Sequence, residues 1–295
     1  MNEMPEAPAS RPAAPTLPGR VDRISVAGAD LRCLRVGSGR PVVLLHTLRT
    51  QLEYFLPLIG QLDTTRLEAV VLDLPGHGES SAPPVDYTAD YFTDAVEASL
   101  VRLDVGKTIV VGDSIGGTIG LTLAARANPR VAHVIAVNPY DYGVRGGIRR
   151  SSRIANLVFT FMLWPGIGTG IAGSGGEWVL RRVMEGGLHD RNILPASLIE
   201  QMNRCGARPG HARAFCSLHR EWRTWIAARD RYPAIAIPTT LVYGLEDWSR
   251  PDERAANARS IPRTRNISLE RCGHFASLEV PQAIARLIHQ AAAEG

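Results

Sequence analysis

The runs Val42-Val43-Leu44-Leu45 and Ile109-Val110-Val111 are apolar from end to end, without the alternation of a strand that shows one face to water. A strand of that kind is covered on both faces, and the architecture that does this repeatedly is a parallel sheet with crossover helices on either side. From Val21 onward, short β-rich runs alternate with longer helical patterns in the order such a sheet needs. Strands are expected at Arg23–Val26, Leu31–Val36, Val42–His46, Ala69–Asp73, Thr108–Gly112, Val131–Asn138, Thr239–Tyr243 and Asn266–Leu269. Only Ala27 to Asp30 separate the first two, short enough for an antiparallel hairpin. The expected fold class is α/β: a mostly parallel, twisted, eight-stranded sheet flanked by helices.

Composition excludes several alternatives. A content of 45% hydrophobic and 21% charged residues in 295 supports a large buried core. No uninterrupted apolar run reaches the roughly 18 residues a membrane-crossing helix requires, so no membrane span is expected. Net charge is only +4 and no Lys/Arg run reaches five residues, which argues against nucleic acid as a partner and leaves a small molecule. Lys107 is the single lysine among 33 basic residues, and its Gly-Lys turn reads as surface. Cys33, Cys205, Cys216 and Cys272 are widely spaced, with no pairing or zinc-site pattern, so free thiols in a reducing, cytoplasmic compartment are expected, with no metal and no cofactor. Oligomeric state is left open.

Between Asn138 and Thr239 no strand-like run occurs, whereas helical patterns appear near Ser151–Trp164, Glu177–Met184, Ala196–Cys205 and Ala212–Arg229. The stretch from Tyr140 to Ile237 holds 14 Arg against 7 acids and 10 of the 18 aromatic residues, so its net charge is +7 and the rest of the chain is −3. The expected organisation is a disordered Pro/Ala-rich tail (1–20), a first part of the sheet domain (21–139), a helical cap inserted after the sixth strand (140–237) and the remainder of the sheet domain (238–295). The competing reading of the insertion is a helical extension of the core.

Chemistry is densest at the fifth strand. Gly112-Asp113-Ser114-Ile115-Gly116 fits G-x-S-x-G directly after an apolar strand and directly before the helical run Thr118–Ala127. A serine on so sharp a turn needs small neighbours, and its hydroxyl then projects above the carboxyl edge of the sheet, beside a helix N-terminus that favours negative charge. The base and its orienting acid should follow in the order acid, then histidine. Asp247 lies just past the seventh strand and His274 just past the eighth. Strand ends converge at one edge of a parallel sheet, so Ser114, Asp247 and His274 can meet. Glu246, one position away, and Asp141, after the sixth strand, are the competing acids.

With these residues placed, the chain resembles the α/β-hydrolase fold superfamily, and the resemblance extends over nearly everything after the tail. It rests on the strand ending in His46, the turn Asp73-Leu74-Pro75-Gly76-His77-Gly78-Glu79-Ser80, the Ser114 elbow and the Asp247/His274 pair. The turn is characteristic of lidded esterase, dehalogenase and C–C hydrolase relatives, where it is mainly structural. The resemblance implies that the cap covers the pocket and sets substrate choice. Serine at the elbow, where a haloalkane dehalogenase needs a carboxylate, argues against that activity.

Relatives usually carry His-Gly after the third strand, whereas this chain reads His46-Thr47-Leu48-Arg49. Ile115 is expected to supply one oxyanion-hole N–H and either Leu48 or Thr47 the other. Arg49 either points into the pocket, where its fixed donors suit a carboxylate or phosphate, or faces solvent or an acid. His46, Trp164, Trp248 and Phe275 complete the expected substrate-binding set. The leading functional expectation is a serine hydrolase that cleaves an ester, thioester or lactone of a bulky aromatic or anionic small molecule through an acyl-Ser114 intermediate. The unusual loop motivates a second, a non-hydrolytic enzyme of specialised metabolism that makes or breaks C–C bonds or catalyses additions or eliminations. A non-catalytic ligand-binding protein is the third.

Overall fold

The computed structural model describes residues 16–142, 147–150, 153–164, 168–174 and 176–294. Its centre is one sheet of eight strands: β1 (Arg20–Val26), β2 (Ala29–Gly37), β3 (Arg40–Leu45), β4 (Leu67–Leu72), β5 (Thr108–Asp113), β6 (Val131–Val137), β7 (Thr239–Gly244) and β8 (Thr264–Leu269). They are ordered β1-β2-β4-β3-β5-β6-β7-β8. β1 and β2 form the expected hairpin, with Ala27 and Gly28 at positive φ of 50° and 73° at its tip. β2 also pairs antiparallel with β4, and every later pairing is parallel.

Adjacent residues of the apolar strands go to opposite faces, as strand geometry requires. Val42, Leu44, Ile109 and Val111 enter one apolar cluster, and Val43, Leu45, Val110 and Leu72 enter the other. Both faces are therefore covered, which is why these runs lack polar positions. The expected tail, 1–20, reaches too far along the chain: Leu17 already packs against the first cluster and Arg20 pairs with Arg35. Positions 1–15 lie outside the described residues.

Between β6 and β7 the described residues hold helices and no strand: Arg153–Met162, Gly168–Ser174, Glu177–Glu185, Ala196–Gly206, His211–Arg220 and Trp222–Ala227. The helix expected to run unbroken from Ala212 to Arg229 divides at Glu221, whose ψ of 18° departs from helical values. Past that break Trp225 is fully buried, with its ring 5.5 Å from Phe92 and 6.0 Å from Tyr140. Leu180, Met184, Leu198 and Met202 join the first apolar cluster, while Ala214, Leu218, Trp225 and Tyr232 join the second. A small separate cluster surrounds Phe159, Met162, Ala172 and Cys216. The insertion is thus anchored in the core on both sides of the sheet, and has an apolar centre of its own only around Phe159.

One buried ion cluster braces the loops at the carboxyl edge. Arg32 of β2 donates from Nε to Asp73 at 2.6 Å and bidentately to Glu53 at 2.9 Å. Asp73 also accepts the N–H groups of Leu52 (2.8 Å) and Glu79 (2.7 Å), tying the loop after β3 to the turn after β4. Gly78 sits at φ 54° with its α-carbon so close to Asp73 that a β-carbon would lie 2.2 Å from the carboxylate oxygen. No side chain fits there.

Removing a partner from a buried ion cluster leaves charge without compensation, at a cost of about 3–5 kcal/mol. Arg32→Met is therefore expected to lower the urea-unfolding free energy by that amount. A loss within the scatter of surface substitutions would show that the cluster does not brace the fold.

Candidate active site

Ser114 is the single residue between β5 and the helix Ile115–Ala125. Its backbone is at φ 56° and ψ −114°, a left-handed conformation that a non-glycine residue holds only when its surroundings enforce it. The enforcement is steric. A β-carbon on Gly112 would stand 2.1 Å from the Gly116 carbonyl, and one on Gly116 would stand 2.1 Å from the Leu45 carbonyl oxygen. Ser114 N–H donates to Val137 O at 2.8 Å, and its carbonyl accepts Tyr140 N–H at 3.0 Å.

His274 follows β8, and its Nδ1 lies 2.5 Å from Asp247 Oδ1 in the loop after β7. The other Asp247 oxygen accepts the Ser249 N–H at 2.8 Å and the Ser249 hydroxyl. Burial opposes the charge on Asp247, but the His274 and Ser249 bonds outweigh it and hold the carboxyl below its ordinary value. The Trp248 indole stacks on the His274 ring at 4.2 Å and 23°. Of the competing acids, Glu246 is exposed and bonded to His189, and Asp141 is held by Tyr232 and Asn257. Neither touches His274.

Two positioning groups escaped the sequence reading. Asn138, at φ 45° just past β6, donates to the carbonyls of Gly273 and His274, each at 3.0 Å, and accepts Gly244 N–H at 3.0 Å. It thereby joins the ends of β6 and β7 to the histidine loop. Its signal was an asparagine between a strand and a proline, a residue type that tolerates positive φ. Asp113, the residue before Ser114, is fully buried and accepts the Tyr54 hydroxyl at 2.6 Å and the Ser277 hydroxyl at 2.8 Å. Burial pushes its carboxyl up to about 6 despite those bonds.

Ser114 and His274 line a common cavity of about 860 Å³, counting its open mouth. Thr47, Leu48 and Arg49 form part of its wall, with Trp248 and Phe275 on the histidine side. The inserted helices contribute Phe159, Met162, Leu180, Phe215 and His219. The N–H groups of Thr47, Leu48 and Ile115 donate to no protein acceptor among the described residues. Arg49 lines both this cavity and a smaller adjoining pocket, with its guanidinium over the Phe215 ring. Among the described residues, Arg49 is the arginine that lines this cavity. No group of three or more His, Cys, Asp and Glu side chains among the described residues is arranged to hold a metal ion. No helix among them is long and apolar enough to cross a membrane.

Two expected substrate-binding residues are elsewhere. Trp164 is 57% exposed and packs on Phe161, on the outer side of the helix whose Phe159 and Met162 face the cavity. His46 is fully buried outside the cavity: Nε2 accepts Leu74 N–H at 3.0 Å, and Nδ1 lies 2.8 Å from the Thr47 carbonyl. Both ring nitrogens are committed to holding the loop.

A profile of the α/β hydrolase fold family matches residues 40–281. The 2-hydroxy-6-oxo-2,4-heptadienoate hydrolase of Pseudomonas putida is 23% identical over 272 residues, covering 89% of this chain and 92% of its own. An epoxide hydrolase structure superposes with a TM-score of 0.80 at 19% identity, covering 93% of this chain and 99% of that one. A meta-cleavage product hydrolase from Pseudomonas fluorescens superposes with a TM-score of 0.75 at 20% identity, covering 92% and 97%. The chain belongs to the α/β hydrolase fold family and is an enzyme of the hydrolase class.

Burial lowers His46 to about 4, so the folded protein keeps it neutral while the unfolded chain is protonated near the ordinary 6.5. Acidification through that window favours unfolding, by at most about 1.4 kcal/mol per pH unit. His46→Gln retains an acceptor but takes no proton. The gap in urea-unfolding free energy between the wild type and this variant should narrow as pH falls from 7 to 5, whereas a constant gap would contradict a buried neutral His46.

Proposed function

We propose that this enzyme is a serine hydrolase that cleaves a carboxylic ester, thioester or lactone of a bulky, largely apolar small molecule through an acyl-Ser114 intermediate. The observation that carries the reading is the His274–Asp247 bond at the rim of the cavity that Ser114 enters from its strained elbow. As Ser114 Oγ attacks the carbonyl carbon, His274 Nε2 takes its proton. Asp247 holds the proton on Nδ1, which keeps Nε2 available, and stabilises the imidazolium that forms. The negative oxygen of the tetrahedral intermediate is held by the N–H of Ile115 and that of Leu48 or Thr47. Collapse expels the leaving group, which takes the proton from His274. A water molecule, deprotonated by His274, then releases the acid and restores Ser114.

The apolar wall formed by Phe159, Met162, Leu180 and Phe215 supports a bulky apolar body in the substrate. One observation favours a second reading, in which the same pocket acts on a C–C bond, addition or elimination without an acyl-enzyme. Thr47 stands where relatives usually have a glycine, and threonine lacks the backbone freedom that glycine brings to a donor loop.

One experiment separates the two. A fluorophosphonate probe should label Ser114 and not Ser114→Ala. p-Nitrophenyl ester turnover should fall on the order of a thousandfold or more in Ser114→Ala and in His274→Ala. Absence of labelling in folded protein would overturn the serine-hydrolase reading. Turnover of a substrate that survives Ser114→Ala but not His274→Ala would establish the second.

A further inference from the structure

Among the described residues, the cavity wall carries one arginine, Arg49, which the proposed mechanism leaves unused. The Arg49 guanidinium makes no ion pair and no hydrogen bond among the described residues. It lies over the Phe215 ring, with its central carbon 5.1 Å from the ring centroid. It stands on the wall between the Ser114 cavity and a smaller adjoining pocket lined by Gly76, His77, Met202 and His211. The guanidinium lies directly against Gly206, where a β-carbon would fall 2.5 Å from Arg49 Nη2. Gly206 also ends the helix Ala196–Gly206, whose C-terminal carbonyls favour a nearby cation without neutralising it.

Burial disfavours the charge, and the ionisable groups that act on it are Cys205 and Cys216, thiols that burial itself keeps protonated. The Arg49 backbone is at φ 67°, a conformation a non-glycine residue adopts only under constraint. A second polar group shares this wall. His219, one helical turn after Phe215, is 7% exposed, and its Nε2 has no hydrogen-bond partner among the described residues. A half-buried cation with an unmade set of donors, set in an apolar wall, is left for an acceptor from outside the protein to complete.

Resting on the serine-hydrolase reading of this cavity, we propose that Arg49 is the receptor for a carboxylate on the substrate, so that the enzyme's substrates are monoesters of apolar acids with a second, free carboxylate. A single delocalised cation in an apolar wall matches a single negative charge. The planar fork of a guanidinium pairs bidentately with a carboxylate, whereas a doubly charged phosphate monoester would leave charge unpaired there. Arg49 directly follows Leu48, so the anchored carboxylate would fix the acyl chain relative to the carbonyl that Ser114 attacks.

The test measures binding, so that it does not depend on turnover. Ser114→Ala protein is titrated calorimetrically with monobenzyl esters of glutaric, adipic and suberic acids, with their methyl-capped diesters, and with benzyl phosphate. At least one monoester should bind on the order of tenfold or more tightly than its diester and than benzyl phosphate. That preference should vanish in Ser114→Ala/Arg49→Met and return in part in Ser114→Ala/Arg49→Lys. No preference for any monoester with Arg49 intact would overturn the proposal, and this arm stands even if the methionine variant fails to fold. A preference that persists in folded methionine variant would do the same, and benzyl phosphate binding as tightly as the monoester would overturn the carboxylate assignment. A clear carboxylate preference in protein whose Ser114 takes no fluorophosphonate label would locate the failure in the hydrolytic reading and leave the receptor standing.

Discussion

The site depends on one steric constraint. Ser114 is held at a positive φ that costs on the order of 1–3 kcal/mol, in a turn whose close packing leaves no room for a β-carbon at Gly112 or Gly116. The same contacts bring the start of the elbow helix against β3 and β5, so the helix N-terminus and the loop after β3 flank one point above the sheet. Any side chain at Gly112 or Gly116 would separate these elements. The strain is therefore built into the strand packing that also aims the hydroxyl.

Around this point, buried polar groups from distant segments complete one another. Asn138 ties the ends of β6 and β7 to the His274 loop, and Asp113 ties the elbow to Tyr54 and Ser277. Farther back, Arg32, Asp73 and Glu53 join the loops after β3 and β4, and His46 bonds to Leu74 in the same region. Such groups are costly when unpaired and stiffening when paired. Their pairing gives the loops that bear Thr47, Leu48, Asp247 and His274 a defined geometry although none of them is regular structure.

Among the described residues that line the cavity, the inserted helices supply mainly apolar side chains and the loop after β3 supplies Arg49. Several of the insertion's arginines pair away from the cavity: Arg150 with Glu253, Arg231 with Asp90, and Arg213 with the carbonyls of Ala82 and Pro83. Long cationic side chains reach outward from an amphipathic helix while their stems cover apolar surface. Arg49, from a loop with little room to move, has no such outlet and remains beside Phe215.

Much of this was legible in the residues themselves. Fully apolar runs required a sheet covered on both faces, and glycines two positions either side of Ser114 required an elbow. Asp247 and His274 stood out as candidates because each lies a few residues past a strand in a topology where strand ends meet, and the structure brings the two into contact. What the sequence could not settle depended on contacts between segments far apart in the chain. Trp164 and Phe159 belong to one apolar helical stretch, and only the packing of that helix sends Phe159 inward and Trp164 to solvent. His46 looked like a pocket residue because it ends β3, but the amide of Leu74, a residue of another loop, claimed its ring. Arg49 was open to two readings in the sequence, and only the tertiary structure brings Gly206 and Phe215 beside it, with no ion pair among the described residues.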